Sequence, residues 1–204
     1  MRAWGLSVVL LMVVLAVAEG RILFQDDFEG ETIGAEPSKW MVVDDPPGDP
    51  PGEIAEDPED SRNKVLLASL RGDRNGRVYV VGEADWADLV VQFDWYLAVE
   101  GVQHGTVFRY QDRNNHYLID RRSPAAGDAM DFWRRQNGGW TNVGRAPMTV
   151  PPQVWYTTML ILRGDTFIAK MKERDDPTSF KELDPILEAQ DGAFASGVLW
   201  HLRR

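Results

Sequence analysis

The sequence contains no cysteine, and it has fewer basic than acidic residues. Among its 204 residues, 22 are Lys or Arg and 32 are Asp or Glu, which gives a formal net charge of −10. Without cysteine, the chain has no disulfide, no thiol nucleophile and no cysteine ligand for zinc or an iron–sulfur cluster. The shortage of basic residues disfavours nucleic acid as a partner, because binding to phosphates depends on clustered Lys and Arg. We therefore expect a core that is held by packing alone and no nucleic-acid partner.

The longest apolar run lies near the amino terminus and has the pattern of a secretory signal peptide. Arg2 precedes an apolar run over residues 6–17, and Ala16 and Ala18 occupy the −3 and −1 positions of a cleavage site. The run is shorter than the roughly 20 residues that span a bilayer, which disfavours the alternative of an uncleaved anchor. We therefore predict that residues 1–18 are a signal peptide cleaved after Ala18. The mature chain is then secreted or lies in the bacterial cell envelope or periplasm, with no membrane insertion after cleavage.

Hydrophobic residues in the rest of the chain alternate with a period of two, which is typical of strands. In residues 89–97, one face carries Val91, Phe93, Trp95 and Leu97, and the other carries largely Gln92, Asp94 and Tyr96. Turn sequences such as Asn137-Gly138-Gly139 separate the strands. Many short strands with regular turns predict a single all-β domain over residues 19–204, an antiparallel β-sandwich. The predicted strands are 22–28, 64–70, 77–81, 89–97, 106–111, 117–121, 130–135 and 155–162.

Two segments depart from the strand pattern. Residues 44–60 hold eight acidic residues and five prolines, and Ile54 is their only large apolar side chain. Such a segment cannot bury enough apolar surface to offset the entropy of ordering it, so we predict an acidic, Pro-rich surface loop. Collection of Ca²⁺ by its carboxylates is the alternative. Residues 181–190 favour a helix, which Pro185 limits to a turn or two.

Short motifs spread over about residues 22–200 resemble the concanavalin A-like jelly-roll β-sandwiches of the laminin-G type. This group includes secreted lectin-like modules and the bacterial domains named after 3-keto-disaccharide hydrolase and laminin G. In the family, a last strand with an Asp-rich run lies beside the first strand, and the resemblance leads us to expect that this strand is missing here. The motifs are residues 23–30, 85–94, 105–112, 114–118, 137–140, 155–156, 162–165 and 194–197.

The resemblance also suggests a metal site. In relatives that bind structural Ca²⁺, the ligands come from the first-strand region and from the final strand. Asp26 and Asp27 are therefore candidate ligands for half of a calcium site, and no other cofactor is expected. The alternative is that they are exposed acids beside an unpaired sheet edge.

The concave face of the sandwich is the candidate ligand site. Sugar recognition needs flat aromatic side chains that stack on pyranose rings, together with planar polar groups that reach the hydroxyls. Neighbouring predicted strands offer Arg109, Tyr117, Asp120 and Trp133, which we take as the candidate ligand-binding residues. The alternative is that Tyr117 and Trp133 belong to the core, since a slip of one residue in register exchanges the two faces of a strand.

These observations predict a monomeric, secreted module that binds carbohydrate or another extracellular polymer. A glycoside hydrolase of the 3-keto-disaccharide hydrolase type is the enzyme alternative, and a structural module without a tight ligand is the third. Residues 83–88 look like the nucleophile motif of family 16 glycoside hydrolases, but they precede a predicted strand instead of lying within it. We assign no catalytic residue. Two close acids on the concave face would favour the enzyme, whereas exposed aromatic residues beside arginines would favour binding.

Overall fold

The computed structural model describes residues 7–18, 20–44, 51–70, 78–101 and 103–203. Apart from a 3₁₀ turn at Pro124–Ala126, its regular elements are all strands. In this described part, no helix has the length and hydropathy to cross a membrane. The strands are β1 (Ser7–Ala18), β2 (Arg21–Asp26), β3 (Met41–Asp44), β4 (Glu53–Glu56), β5 (Lys64–Leu70), β6 (Val78–Val80), β7 (Leu89–Leu97), β8 (His104–Asp112), β9 (Asn115–Arg122), β10 (Ala129–Gln136), β11 (Gly139–Pro147), β12 (Trp155–Arg163), β13 (Thr166–Glu173), β14 (Leu187–Gln190) and β15 (Val198–Arg203).

Two antiparallel sheets face each other. The large sheet has the order β14-β13-β12-β7-β1-β5-β4, with β2 paired to β1, and the small sheet has the order β11-β10-β9-β8-β15. Phe167 of the large sheet contacts Phe108, Tyr117 and Phe132 of the small sheet, with ring centroids 5.0, 4.7 and 5.9 Å apart. Burying each of these rings contributes about 1.5–3 kcal/mol to folding. The predicted all-β antiparallel sandwich is confirmed.

The hairpin that joins β10 and β11 follows directly from its sequence. Asn137 and Gly138 have φ angles of +51° and +82°, so both lie in the left-handed region. Glycine adopts this region without steric cost and asparagine tolerates it, which is why this dipeptide suits a two-residue hairpin. The turn sets Gln136 opposite Gly139 and therefore Arg135 opposite Trp140.

Strand β1 is formed by the apolar run that the sequence analysis assigns to a signal peptide. It pairs antiparallel with β7 on one side and with β5 and β2 on the other. In the family that the sequence resembles, the last strand lies beside the first. Here β1 lies beside β2 in that position. Both edges of β1 are thus hydrogen-bonded to neighbouring strands. This is the arrangement of the uncleaved chain, and cleavage after Ala18 stays a prediction.

The acidic segment is not one continuous surface loop. Its residues 53–56 form β4, which pairs with β5 and buries Ile54. Asp57 is also buried, and its Oδ1 accepts a hydrogen bond of 3.2 Å from Nε1 of Trp155. The strand forms because β5 offers it a partner, which composition does not reveal. Residues 45–50 lie outside the described part of the chain.

The predicted helical turn within residues 181–190 was wrong. Leu187–Gln190 forms the edge strand β14, which pairs with β13. Leu187 and Ala189 are buried while the residues between and after them are exposed, so the segment follows the period of a strand.

Candidate ligand-binding site

The small sheet turns one face to the core and the other away from it. Phe108, Tyr117 and Phe132 contact the large sheet, and successive side chains of a strand point to opposite faces. The cross-strand pairs Leu118 with Trp133 and Asp120 with Asp131 therefore lie on the face that points away from the large sheet, where Leu118 is buried all the same. We call this surface the outer face. Its polar and aromatic residues include His116, Asp120, Arg122, Asp131, Trp133, Arg135, Trp140, Asn142 and Arg145.

Two tryptophans dominate the outer face. Trp133 and Trp140 are partly exposed, and their ring centroids are 6.4 Å apart with an interplanar angle of 86°. The guanidinium carbon of Arg122 lies 5.6 Å from the ring centroid of Trp133, and that of Arg135 lies 5.2 Å from the ring centroid of Trp140. Each tryptophan thus carries a planar cation beside it, a contact worth about 0.5–1 kcal/mol where it is exposed.

Two buried carboxylates hold two of the three arginines of the outer face, Arg122 and Arg145. Nη1 of Arg122 donates to Oδ2 of Asp120 at 3.1 Å, and its Nε lies 3.9 Å from Oδ2 of Asp131. Nη1 of Arg145 lies 3.5 Å from the same Asp131 oxygen. Burial raises the pKa of Asp131, and the two arginines oppose that rise. Arg122 and Arg145 are therefore positioned by ion pairs before any ligand arrives.

Gly127 accepts a hydrogen bond from the guanidinium group of Arg145. Its carbonyl accepts a 2.9 Å hydrogen bond from Nη2 of Arg145. A Cβ at this position would come within 2.5 Å of that nitrogen, and the φ of +101° is one that other residues rarely adopt. A glycine is thus required for the arginine to approach the turn.

His116 lies on the outer face beside Trp140. Its ring centroid is 5.5 Å from that of Trp140, and it stacks on Tyr110 at 5.4 Å. Its Nδ1 is 3.1 Å from the carbonyl oxygen of Asp112 and can only act there as a donor. Burial, assisted by the nearby charge of Arg135, lowers the pKa of His116 to about 4. The imidazole is therefore neutral at pH 7, and its Nε2 is an acceptor with no hydrogen-bond partner among the described residues.

Two of the four sequence-predicted ligand residues lie on the core side of the small sheet. Tyr117 is fully buried, and its hydroxyl donates to Oδ1 of Asp191 at 2.6 Å. Burial and this hydrogen bond raise the pKa of Tyr117 to about 12. Arg109 is also buried, has a φ of +48° and donates to the carbonyl of Phe194 at 3.0 Å. Through these hydrogen bonds, both side chains hold the segment around residues 191–194 against the small sheet.

The other two predicted residues, Asp120 and Trp133, lie together on the outer face. Asp120 is buried under Arg122, and Trp133 is the member of the predicted set that presents a partly exposed ring. Sequence reasoning missed Trp140 as a ligand candidate. The signal was available, because the hairpin turn before Trp140 places it opposite Arg135, two residues from Trp133.

The structure does not bring the predicted metal ligands together. Asp26 is buried, and its carboxylate accepts hydrogen bonds from Nζ of Lys39 at 2.7 Å and Nε1 of Trp40 at 2.8 Å. Asp27 is exposed and accepts a bond from the backbone N–H of Glu29 at 3.1 Å. Among the residues that the structure describes, no group of three or more His, Asp or Glu is arranged to hold a metal ion. Asp26 serves the fold here, and the calcium site stays a prediction without a further ligand to support it.

A groove of about 670 Å³ lies on the outward side of the large sheet. Asp94 lines it, accepts a 2.6 Å hydrogen bond from Thr157, and has its pKa raised chiefly by burial. The ammonium groups of Lys170 and Lys172 each donate to two backbone carbonyls of the segment 176–183, at 2.6–2.9 Å. The carboxylate of Asp94 and the ammonium groups of Lys170 and Lys172 are thus bonded to the chain itself.

Comparison with known proteins gives one structural likeness. No protein-family model matches the sequence, and no curated protein matches it. Among solved structures, the chain is similar to the carbohydrate-binding module CBM66 from Bacillus subtilis, with a TM-score of 0.56 and 18% sequence identity. The similarity covers 80% of this chain and 86% of that module. The chain therefore has a β-sandwich fold similar to that of CBM66.

Proposed function

We propose that this protein binds carbohydrate on the outer face of the small sheet. The observation that carries the proposal is the pair Trp133 and Trp140, two partly exposed indole rings that each have an arginine stacked beside them. Indole rings pack against the apolar faces of pyranoses, and guanidinium groups donate to neighbouring hydroxyls. The likeness in fold to CBM66, which is a carbohydrate-binding module, supports the same interpretation.

The ion pairs of the outer face favour binding because they order its arginines in advance. Arg122 and Arg145 are held by Asp120 and Asp131, so little side-chain entropy is lost when a sugar arrives. Immobilising a long side chain at an interface otherwise costs about 0.5–1.5 kcal/mol.

Glycoside hydrolysis is the second candidate function. The observation in its favour is that Asp120 and Asp131 lie directly opposite each other on β9 and β10, on the same face. Both carboxylates are buried, and Arg122 lies within 4 Å of each of them. Both carboxylates are closed to solvent and ion-paired to arginines, so neither is presented to a sugar, which is why we place binding first. Asp131→Asn abolishes any glycoside cleavage in the hydrolase case, whereas a binding module shows no turnover before or after the change.

Binding is tested by a glycan array followed by calorimetry on the best ligands. We expect Trp133→Ala and Trp140→Ala each to weaken affinity at least tenfold, about 1.4 kcal/mol. Trp86→Ala is the matched control, since Trp86 is a partly buried tryptophan in the turn before β7, away from the outer face. Unchanged affinity in both outer-face variants, with melting temperatures near that of the parent, would remove the function from this surface.

We also propose that the chain is a laminin-G-type member of the concanavalin A-like sandwiches and that it is exported as a monomer. The motif order and the two-sheet architecture support the first part, and the pattern of residues 1–18 supports the second. Intact mass of protein recovered after expression with an export pathway tests cleavage after Ala18, and light scattering on that sample tests the monomer. Since β1 lies between β5 and β7, comparing the melting temperatures of chains 1–204 and 19–204 measures what this strand contributes.

A further inference from the structure

We infer that the ligand of the outer face is a sugar that carries a carboxylate, a uronic acid, and that Arg135 binds this carboxylate. The inference deepens the proposed function and rests on it. It starts from the distribution of charge over the outer face and not from its tryptophans, which suit neutral and acidic sugars equally.

The outer face has one positive charge more than its own acids neutralise. Arg122 and Arg145 are ion-paired to Asp120 and Asp131. Arg135 has no ion pair with any acid among the residues that the structure describes, although the protein has a net charge of −10. Its guanidinium stacks on Trp140, at 5.2 Å from the ring centroid. An arginine left without an acid in so acidic a chain is a suitable partner for an anion.

The chemistry of Arg135 favours a carboxylate among anions. A guanidinium offers a planar fork of donors, which matches the two coplanar oxygens of a carboxylate in a bidentate pair. The stack on Trp140 holds the plane of this fork, and the side chain of Arg135 is partly exposed although its Nε is buried. A carboxylate therefore gains two charge-assisted hydrogen bonds from a donor that is already oriented.

His116 supplies the neighbouring contact. Its neutral ring lies beside Trp140, close enough to Arg135 for that charge to lower its pKa, and its buried Nε2 is an acceptor that no described residue uses. A sugar hydroxyl can donate to this buried nitrogen once the side chains that cover it shift. A uronic acid presents a carboxylate and a hydroxyl on adjacent ring carbons, so one residue satisfies Arg135 and His116 together while its ring faces an indole.

The test uses the full chain and calorimetry with uronate trisaccharides of the galacto, gluco and manno configurations. Each is compared with its methyl ester, which keeps the shape and loses the charge. For at least one configuration we expect the free acid to bind roughly tenfold more tightly than the ester at low salt, the effect of one charge-assisted pair. The preference should shrink as salt is added.

Variants of Arg135 assign the preference to this residue. Arg135→Gln should bind acid and ester with equal affinity, and Arg135→Lys should keep part of the preference, because it keeps the charge without the fork. Arg163→Gln, an exposed arginine at the end of β12, is the matched control and should change nothing.

The outcomes separate this inference from the proposed function. Equal binding of acid and ester overturns the uronate assignment, yet leaves carbohydrate binding intact if Trp133→Ala weakens both ligands. Tighter binding of a sulfated trisaccharide than of any uronate overturns the choice of carboxylate, and a preference that survives in Arg135→Gln overturns the residue assignment. Failure of every sugar to bind overturns the proposed function as well.

Discussion

The outward sides of the two sheets use similar residue types in different ways. Both contain an aspartate whose pKa is raised mainly by burial, Asp131 on the small sheet and Asp94 on the large sheet. On the large sheet, Lys170 and Lys172 donate hydrogen bonds to backbone carbonyls of the chain. On the small sheet, the basic groups pair with carboxylates or stack on indole rings.

The difference lies in what covers each face. An ammonium group donates in three directions, and the segment that crosses the large sheet supplies the carbonyls it needs. A guanidinium on the small sheet is planar, so an acid at its edge and a ring at its face still leave donors available. Residue type alone therefore does not mark a binding surface. A binding surface is indicated by hydrogen-bond donors that have no partner within the chain.

The largest expected effect is a pH dependence that belongs to the small sheet. The pKa of His116 falls from 6.5 to about 4 on folding, so folding favours its neutral form. The stability from this group is fully present above pH 6.5 and is lost as the pH falls towards 4, a change of about 3 kcal/mol. Urea unfolding at pH 7, 5.5 and 4 measures it.

His116→Gln should flatten that pH dependence, and Lys172→Ala on the large sheet should leave it in place. If the parent and His116→Gln lose the same free energy of unfolding between pH 7 and pH 4, protonation of His116 is not the cause of the pH dependence.

The second largest effect on stability is expected from Asp131, whose carboxylate is ion-paired to two arginines. Asp131→Asn leaves Arg122 and Arg145 without their shared negative charge and beside an amide that accepts through one oxygen only. We expect this loss to exceed the ionisation cost that the raised pKa of Asp131 implies, with a net loss of about 1–2 kcal/mol in unfolding free energy. Sugar affinity should fall as well, because the arginines lose their fixed positions. Thermal melting and calorimetry on one preparation check both. A variant that melts lower but binds as the parent would show that the ion pairs serve the fold alone.

Much of the fold was readable from the sequence, whereas the composition of the site was readable only in part. Strand β7 was predicted with its observed bounds because its alternation is uninterrupted. Tyr117 and Asp120 are three positions apart on one strand and so lie on opposite faces, which should have divided the predicted site. The register shift between Phe132 and Trp133 depends on pairing with β11, which no local pattern indicates. The same holds for β4, whose existence depends on β5.

A smaller effect is expected on the large sheet. Lys172→Ala removes two hydrogen bonds to carbonyls of the covering segment, at 2.6 and 2.7 Å, and should cost about 1 kcal/mol. Limited proteolysis should then cut within residues 176–183 more quickly, while sugar affinity stays the same. Lys181→Ala is the matched control, since Lys181 is exposed in the same segment. A loss of sugar affinity in Lys172→Ala would move the binding site towards the large sheet.

The smallest effect is expected from Asp94→Asn, the counterpart of Asp131→Asn. Asp94 lines the groove of the large sheet, and its carboxylate accepts a hydrogen bond from Thr157 that an amide oxygen can also accept. Because its folded pKa is raised, ionisation of Asp94 costs stability as the pH rises through that pKa, and the amide removes this cost. Asp94→Asn should therefore unfold within about 0.5 kcal/mol of the parent at pH 7, on the stable side if it differs. Urea unfolding of both variants at pH 7 makes the comparison. Only the aspartate of the small sheet has arginines that depend on its charge. Equal losses of unfolding free energy in Asp94→Asn and Asp131→Asn would therefore mean that these arginines do not make Asp131 more important for stability than Asp94.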